Sequence, residues 1–235
     1  MQKGTGRLFL VSVGIGDCDN MTIRARKTIE QADIVLAMAF IGEQYADVLS
    51  GKEVHDAGHA LFTTLHAAKS GDEERVRHIV REAFSAGKTI AVLDFGDPTL
   101  YSPQSGYLKE FADLNPQIIP GISSFNAANA VLKKELSGLY DHAVILTETR
   151  DVEQLEQLAA TRSTMVLFTM RMDLPAVISM LQRHYPGSTP VALVVNAGFS
   201  AKEQVVHATL ETIIAQVEKE PPAWAHLIYI GDFLR

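Results

Sequence analysis

Three short segments carry residue types that could do chemistry together. The first is Gly96-Asp97-Pro98-Thr99-Leu100-Tyr101-Ser102, which closes an apolar run with a glycine, a carboxylate and a proline. Glycine admits close backbone approach, proline fixes the following turn, and the aspartate can accept hydrogen bonds from an amine or hydroxyl of a ligand. The same residues also make an ordinary Asp-Pro turn. The second is Val13-Gly14-Ile15-Gly16, where two glycines end the first apolar run. It is not a dinucleotide fingerprint, because Asp19 stands at the third-glycine position and no acid follows the second strand where the ribose contact would be. The third is Pro120-Gly121-Ile122-Ser123-Ser124-Phe125, which brings small hydroxyl residues to a helix start. Backbone N–H groups there can hold a carboxylate, and either serine can equally serve as a cap.

Other polar residues read more plainly. His55, His59 and His66 surround Asp56 in a spacing open to a metal or to a metallated ligand, but surface histidines on a loop are the better reading, and no metal site is assigned. Arg24, Arg26 and Lys27 have the spacing of a solvated helix face. Cys18 has no adjacent base, which makes it an inert thiol.

The elements that must position these segments follow an α/β pattern, with β-branched apolar runs alternating with helical periodicity. Strands are predicted at Leu8 to Val13, Ile34 to Met38, Thr89 to Phe95 and Gln117 to Ile119, and the pattern along the whole chain is that of a mostly parallel sheet covered by helices. Helices are predicted from Thr22, over Asp72 to Ala86, over Gln104 to Leu114 and over Ser124 to Leu132. In the second half, strands are expected at Ala143 to Thr147, Thr164 to Thr169, Val191 to Val195 and Leu227 to Ile230. Helices are expected there over Val152 to Ala160, Leu174 to Tyr185 and Thr209 to Glu218. The break at Asn115-Pro116 divides the chain into two α/β domains, residues 1–116 and 117–235.

In this order the motifs make the chain similar to the tetrapyrrole (corrin/porphyrin) methylases. They run Val13-Gly14-Ile15-Gly16, Thr22-Ile23-Arg24-Ala25, Ala32-Asp33-Ile34-Val35, the Gly96-Asp97-Pro98 segment and Ile119 to Phe125. Thr164 to Phe168, Thr189 to Val194, Gln204 to Leu210, Pro222-Ala223 and Ile228 to Gly231 continue the likeness through the second half. Glu135-Leu136-Ser137 followed by Ala143 to Thr147 looks most like the precorrin-4 C11 methylases of cobalamin synthesis.

The resemblance implies two domains with S-adenosylmethionine (SAM) in a cleft between them, held largely by backbone groups. By position, Gly16, Phe95, Gly96, Asp97 and Leu100 would contact the cofactor, as would Ser123, Ser124, Thr169, Ala197 and the pair Pro222-Ala223. It further implies a small-molecule tetrapyrrole as methyl acceptor; if a proton leaves the acceptor carbon, Asp17 or His59 is the candidate base by its position near the expected cleft. One departure bears on the acceptor. Asp17 follows Gly16 directly where the family has an intervening Pro-Gly, shortening the loop that faces the acceptor. A methylase of the same fold acting on a peptide backbone or another acceptor, and a SAM-binding protein without turnover, are the alternative readings.

Composition bounds the remaining partners. A net charge of −7 over 235 residues argues against a nucleic-acid backbone as main partner, since phosphate binding needs a local excess of Lys and Arg. The single cysteine excludes an intramolecular disulfide framework and fits a reducing compartment, so a cytoplasmic location is expected. No apolar run approaches the ~18–20 residues needed to cross a bilayer. A homodimer is expected from the resemblance and from the prevalence of twofold assemblies.

Overall fold

The computed structural model describes residues 6–63, 71–136, 143–169, 172–219, 221–222 and 226–235. They form two compact units, Met1–Ser123 and Ser124–Arg235. The unit boundary therefore lies after Ser123 and not after residue 116 as the Asn-Pro break had implied. The reason is a strand: β5 (Gln117–Ile119) pairs in parallel with β1 (Arg7–Ser12), which keeps it in the first sheet.

In the first unit the apolar runs become a five-stranded parallel sheet of order β3-β2-β4-β1-β5. Its other strands are β2 (Ile34–Ala37), β3 (Glu53–Asp56) and β4 (Thr89–Asp94). Successive residues of a strand face opposite ways, so β1 feeds two cores. Val11 and Val13 pack with Ala25 and Ile29 of α1 (Ile23–Gln31) and Ile41 of α2 (Ala39–Gln44). Leu8 and Leu10 pack on the other face with Val76 and Val80 of α3 (Asp72–Ser85) and Tyr107 of α4 (Gly106–Glu110). Double-sided burial is why these strands read as unbroken apolar runs.

Local chemistry fixes the helix ends. Thr22 caps α1, its Oγ1 accepting the Ala25 N–H at 3.1 Å. Asp72, Glu73 and Glu74 occupy the first turn of α3, where the helix dipole favours negative charge. The helix expected from Gln104 to Leu114 is shorter. It runs only as α4, followed by a 3-10 turn at Ala112–Leu114, because Phe111 leaves helical geometry (φ −110, ψ 27).

In the second unit the sheet order is β6-β7-β10-β8-β9. Its strands are β6 (Val144–Glu148), β7 (Thr164–Phe168), β8 (Pro190–Val195), β9 (Gln204–Thr209) and β10 (His226–Ile230). Only β6 and β7 pair in parallel; β10 is antiparallel to both β7 and β8, and β8 to β9. The expectation of a mostly parallel arrangement thus holds for the first sheet and fails for the second. One face is covered by α6 (Val152–Ala159), α7 (Leu174–Leu181) and α8 (Ile213–Lys219) through Leu155, Ile178, Leu181 and Ile213. On the other, Tyr229 donates its hydroxyl to Asn129 Oδ1 at 2.7 Å and so ties β10 to α5 (Ser124–Leu132). The stretch Thr209 to Glu218 is split between β9 and α8. No helix among the described residues is long and apolar enough to cross a membrane.

Candidate active site at the carboxyl edge of the first sheet

Strands β1 and β4 are neighbours, yet β1 leads into α1 on one face of the sheet while β4 leads toward α4 on the other. Where neighbouring strands part in this way, the loops after them leave a crevice at the carboxyl edge, the usual place for a ligand in an open parallel sheet. Here the crevice is built around two glycines. Past the strand ends, Gly96 N–H donates to Gly14 O at 2.8 Å, with both residues left-handed (φ +80 at Gly14, +83 at Gly96). A side chain at either position would be strained.

Ser12 locks this crossing. Fully buried, its hydroxyl donates to Gly96 O at 2.5 Å and accepts the Gly14 N–H at 3.0 Å. Gly121, after β5, leaves the space that Ser12 occupies: a Cβ there would overlap Ser12 Oγ and lie 2.5 Å from Ser12 Cβ. All three sequence segments therefore meet on one serine that the motif reading passed over. Its signal was a hydroxyl inside the apolar stretch Leu8 to Val13.

The loop after β1 is held by its carbonyls. Val13 O accepts Tyr45 Oη at 3.0 Å, Gly14 O accepts Gly96 N, Ile15 O accepts Asn20 Nδ2 at 2.7 Å, and Gly16 O accepts Gln44 Nε2. Four consecutive acceptors are thus satisfied within the chain, which immobilises Gly16 and the start of Asp17. Burial pushes the Tyr45 phenol up, so it remains a proton donor. The exposed Cys18 is pushed up as well, by partial burial and then by Asp19, Asp17 and Asp47, in keeping with an inert thiol.

After β4 the carboxylates divide their roles. Asp97 is half-buried, and its Oδ1 accepts Thr99 N at 2.8 Å and Thr99 Oγ1 at 2.7 Å, an Asx turn that shapes the loop. Asp94, the last residue of β4, is the fully buried one. Its Oδ1 accepts Phe95 N at 2.9 Å and its Oδ2 accepts the Ser102 hydroxyl. Burial raises its pKa to about 6 against these hydrogen bonds, with Asp97 adding to the rise. Phe95 packs edge-on against the half-exposed Phe40 with ring centroids 5.5 Å apart, and Leu100 N bonds back to Asp97 O at 3.1 Å. Gly16, Asp17, Phe95, Gly96, Asp97, Leu100 and Ser123 all lie in loops at this one edge.

His59 is exposed in the loop after β3, on the same edge but beyond β2. That loop is strained at Ala60 and Phe62 (φ 56 and 60) and held by Gln104 Nε2 to Gly58 O at 2.8 Å and Tyr107 Oη to Ala57 O at 2.7 Å. His55 faces Glu53 Oε1 at 2.9 Å; His66 lies outside the described residues.

In the second unit, Thr169 and Ala197 follow β7 and β8, whose carboxyl ends flank the start of β10. Both are buried, and Thr169 Oγ1 donates to His226 O at 2.7 Å. Pro222 is half-buried on the segment leading to β10, and Ser124 opens α5. Ala223 lies outside the described residues.

Residues 7–214 match the family described as Tetrapyrrole (Corrin/Porphyrin) Methylases. The chain belongs to that family. Among curated members it is 30% identical over 238 residues to the cobalt-precorrin-4 C(11)-methyltransferase of Methanocaldococcus jannaschii, covering 97% of this chain and 88% of that one. Among solved structures, a cobalt precorrin-4 methyltransferase of cobalamin biosynthesis superposes with a TM-score of 0.81 at 24% identity, over 97% of this chain and 96% of that one. The uroporphyrin-III C-methyltransferase of Thermus thermophilus, solved with S-adenosylhomocysteine, gives 0.74 at 23% identity, over 98% and 99%. These structural likenesses place the two α/β units of this methylase in a known fold.

Proposed function

We propose that this methylase transfers the methyl group of SAM to a ring carbon of a precorrin-type tetrapyrrole. The observation that carries the cofactor reading is the composition of the three loops that follow β1, β4 and β5 at the carboxyl edge. Residues 12–17, 94–102 and 119–124 hold Asp17, Asp94 and Asp97 and no Lys, Arg or His. Such an edge suits a cationic sulfonium and repels phosphate, while the glycine backbone admits close contact.

When bound, SAM supplies a methyl carbon on a positively charged sulfur that departs as a neutral thioether. This chain's residues then have two tasks. Gly16, Phe95, Gly96, Asp97, Leu100 and Ser123 hold and orient the cofactor, and we assign the same task to Ser124, Thr169, Ala197, Pro222 and Ala223 in the second unit. Positioning alone can lower a barrier by roughly 7–11 kcal/mol. Asp17 or His59 takes the proton if one leaves the acceptor carbon, a contribution of about 10²–10⁴-fold. The acceptor reading rests on the cobalt-precorrin-4 relative. We further propose a cytoplasmic homodimer, which light scattering of the purified chain would test.

Calorimetry with S-adenosylhomocysteine tests the cofactor, and SAM labelled in the methyl group, offered with precorrin intermediates, tests the acceptor. Label in the tetrapyrrole is the expected result. No heat with millimolar S-adenosylhomocysteine would overturn the proposal.

A further inference from the structure

We propose that Asp94 is a positioning residue for methyl transfer, a clamp whose carboxylate fastens both ends of the loop from Gly96 to Ser102. The proposal rests on the reading that this loop holds the cofactor. Its geometry stands apart from that reading.

Two donors from opposite ends of the loop converge on one buried group. Phe95 N–H, at the start of the loop, donates to Oδ1 at 2.9 Å, and the Ser102 hydroxyl, at its end, donates to Oδ2. Ser102 Oγ accepts Gln104 N at 3.0 Å, which directs the hydroxyl proton toward Asp94. An ionised carboxylate only accepts, so it matches both donors, whereas an amide or a neutral acid brings a proton of its own to the same place.

The clamp spans the loop's unfavourable residues. Gly96 and Tyr101 are both left-handed (φ +83 and +51), and for tyrosine that region is sparsely populated. Asp97 cannot anchor them, since its side chain bonds only Thr99 within the loop. Through Ser102 the clamp also reaches a second loop, because Gln104 donates its N–H to Ser102 Oγ and its Nε2 to Gly58 O. The charged group acting on Asp94 is Asp97; Ser12, its register partner on β1, and Ser102 and Gln104 are neutral. The loop's donors hold this carboxyl below the value that burial alone would set, so while Asp94 stays in the core its protonation near pH 6 removes an acceptor and loosens the loop.

The test follows amide hydrogen-exchange protection of residues 96–103 and the dissociation constant for S-adenosylhomocysteine between about pH 5 and pH 8 in wild type, Asp94→Asn and Ser102→Ala. Wild type should lose about tenfold in both protection and affinity across that range, the scale of one hydrogen bond to a charged group. Asp94→Asn should sit near the low-pH level throughout, with no midpoint. Ser102→Ala should move the midpoint above about 6, because Ser102 favours the ionised form. An unchanged pH profile of loop protection in Asp94→Asn would overturn the proposal. If wild type binds no S-adenosylhomocysteine at any pH, the cofactor reading falls, and loop protection still decides the role of Asp94.

Discussion

Replacing Gly121 by alanine tests the packing on which the whole edge depends. Its backbone is outside the left-handed region, so alanine meets no conformational penalty, and the effect isolates the added methyl group. That methyl would overlap Ser12 Oγ and lie 2.5 Å from Ser12 Cβ, so the hydroxyl must rotate away and the backbone must shift to part the two Cβ atoms. Rotation breaks two buried hydrogen bonds, to Gly96 O and from Gly14 N. Overpacking of this kind costs about 1–3 kcal/mol, and each buried group left without a partner about 1–3 kcal/mol. A loss of at least ~3 kcal/mol is therefore expected in urea unfolding, as a shift in midpoint with an unchanged slope. Ser12→Gly removes both clashing atoms, so the double variant Ser12→Gly/Gly121→Ala should cost less than the sum of the singles by ~1–3 kcal/mol. Ser12→Ala should give a smaller relief, because it removes the overlapping Oγ but keeps the Cβ. Full additivity of Ser12→Gly with Gly121→Ala, or a Gly121→Ala variant within ~0.5 kcal/mol of wild type, would refute the steric lock.

Three further outcomes are expected. Asp94 holds its proton more tightly folded (about 6) than unfolded (3.8), so the folded state binds more protons between these values and wild-type stability falls relative to Asp94→Asn as pH rises through that window. At about 1.4 kcal/mol per pH unit the two stability curves should diverge by ~3 kcal/mol; parallel curves from acid to neutral pH would exclude a raised carboxyl. Tyr45→Phe leaves Val13 O without its side-chain donor and should destabilise by ~1–3 kcal/mol in thermal or urea unfolding while weakening S-adenosylhomocysteine binding, and wild-type values for both would free the β1 loop from this contact. Cys18, raised by burial and three aspartates, should alkylate with iodoacetamide more slowly than free glutathione near neutral pH despite its exposure; a faster rate would reverse its assignment as inert.

Much of the fold was legible because most strands are buried on both faces and because α1, α6 and α7 begin at side-chain caps. The bounds expected for the short strand Gln117 to Ile119 and for the helix Ser124 to Leu132 coincide with β5 and α5. Three elements were missed for local reasons. β3 is an edge strand reading Glu-Val-His-Asp, β9 is an edge strand with mostly half-exposed residues, and α2 has six residues and no side-chain cap. Strand direction in the second sheet was illegible in principle. β8 and β10 are apolar on both faces, and that pattern cannot distinguish an antiparallel partner from a parallel one. At the site, Gly96 and Gly14 were found because glycines after apolar runs have few other uses. Asp94 and Ser12 were not, because one polar residue in an apolar strand has no periodic signature. Its worth appears only when Ser102 folds back onto Asp94, or when Gly121 leaves room for Ser12 Oγ.

The two loops around the Gly14–Gly96 crossing are held by different chemistry, and this decides how the edge responds to acid. The β1 loop hangs on its carbonyls, which accept from amides and from a phenol that burial keeps protonated. None of those donors changes charge between about pH 5 and pH 8. The β4 loop hangs on a carboxylate that titrates inside that range. Acid should therefore release Phe95 to Ser102 while leaving Val13 to Gly16 in place, and the Ser12 hydroxyl marks the border between the two. Amide exchange resolved by residue would show protection falling at Phe95 and beyond but not at Gly14, whose N–H is held by Ser12. Simultaneous loss at Gly14 and at the loop would mean that the crossing opens as one unit, and that Ser12, rather than Asp94, governs the edge.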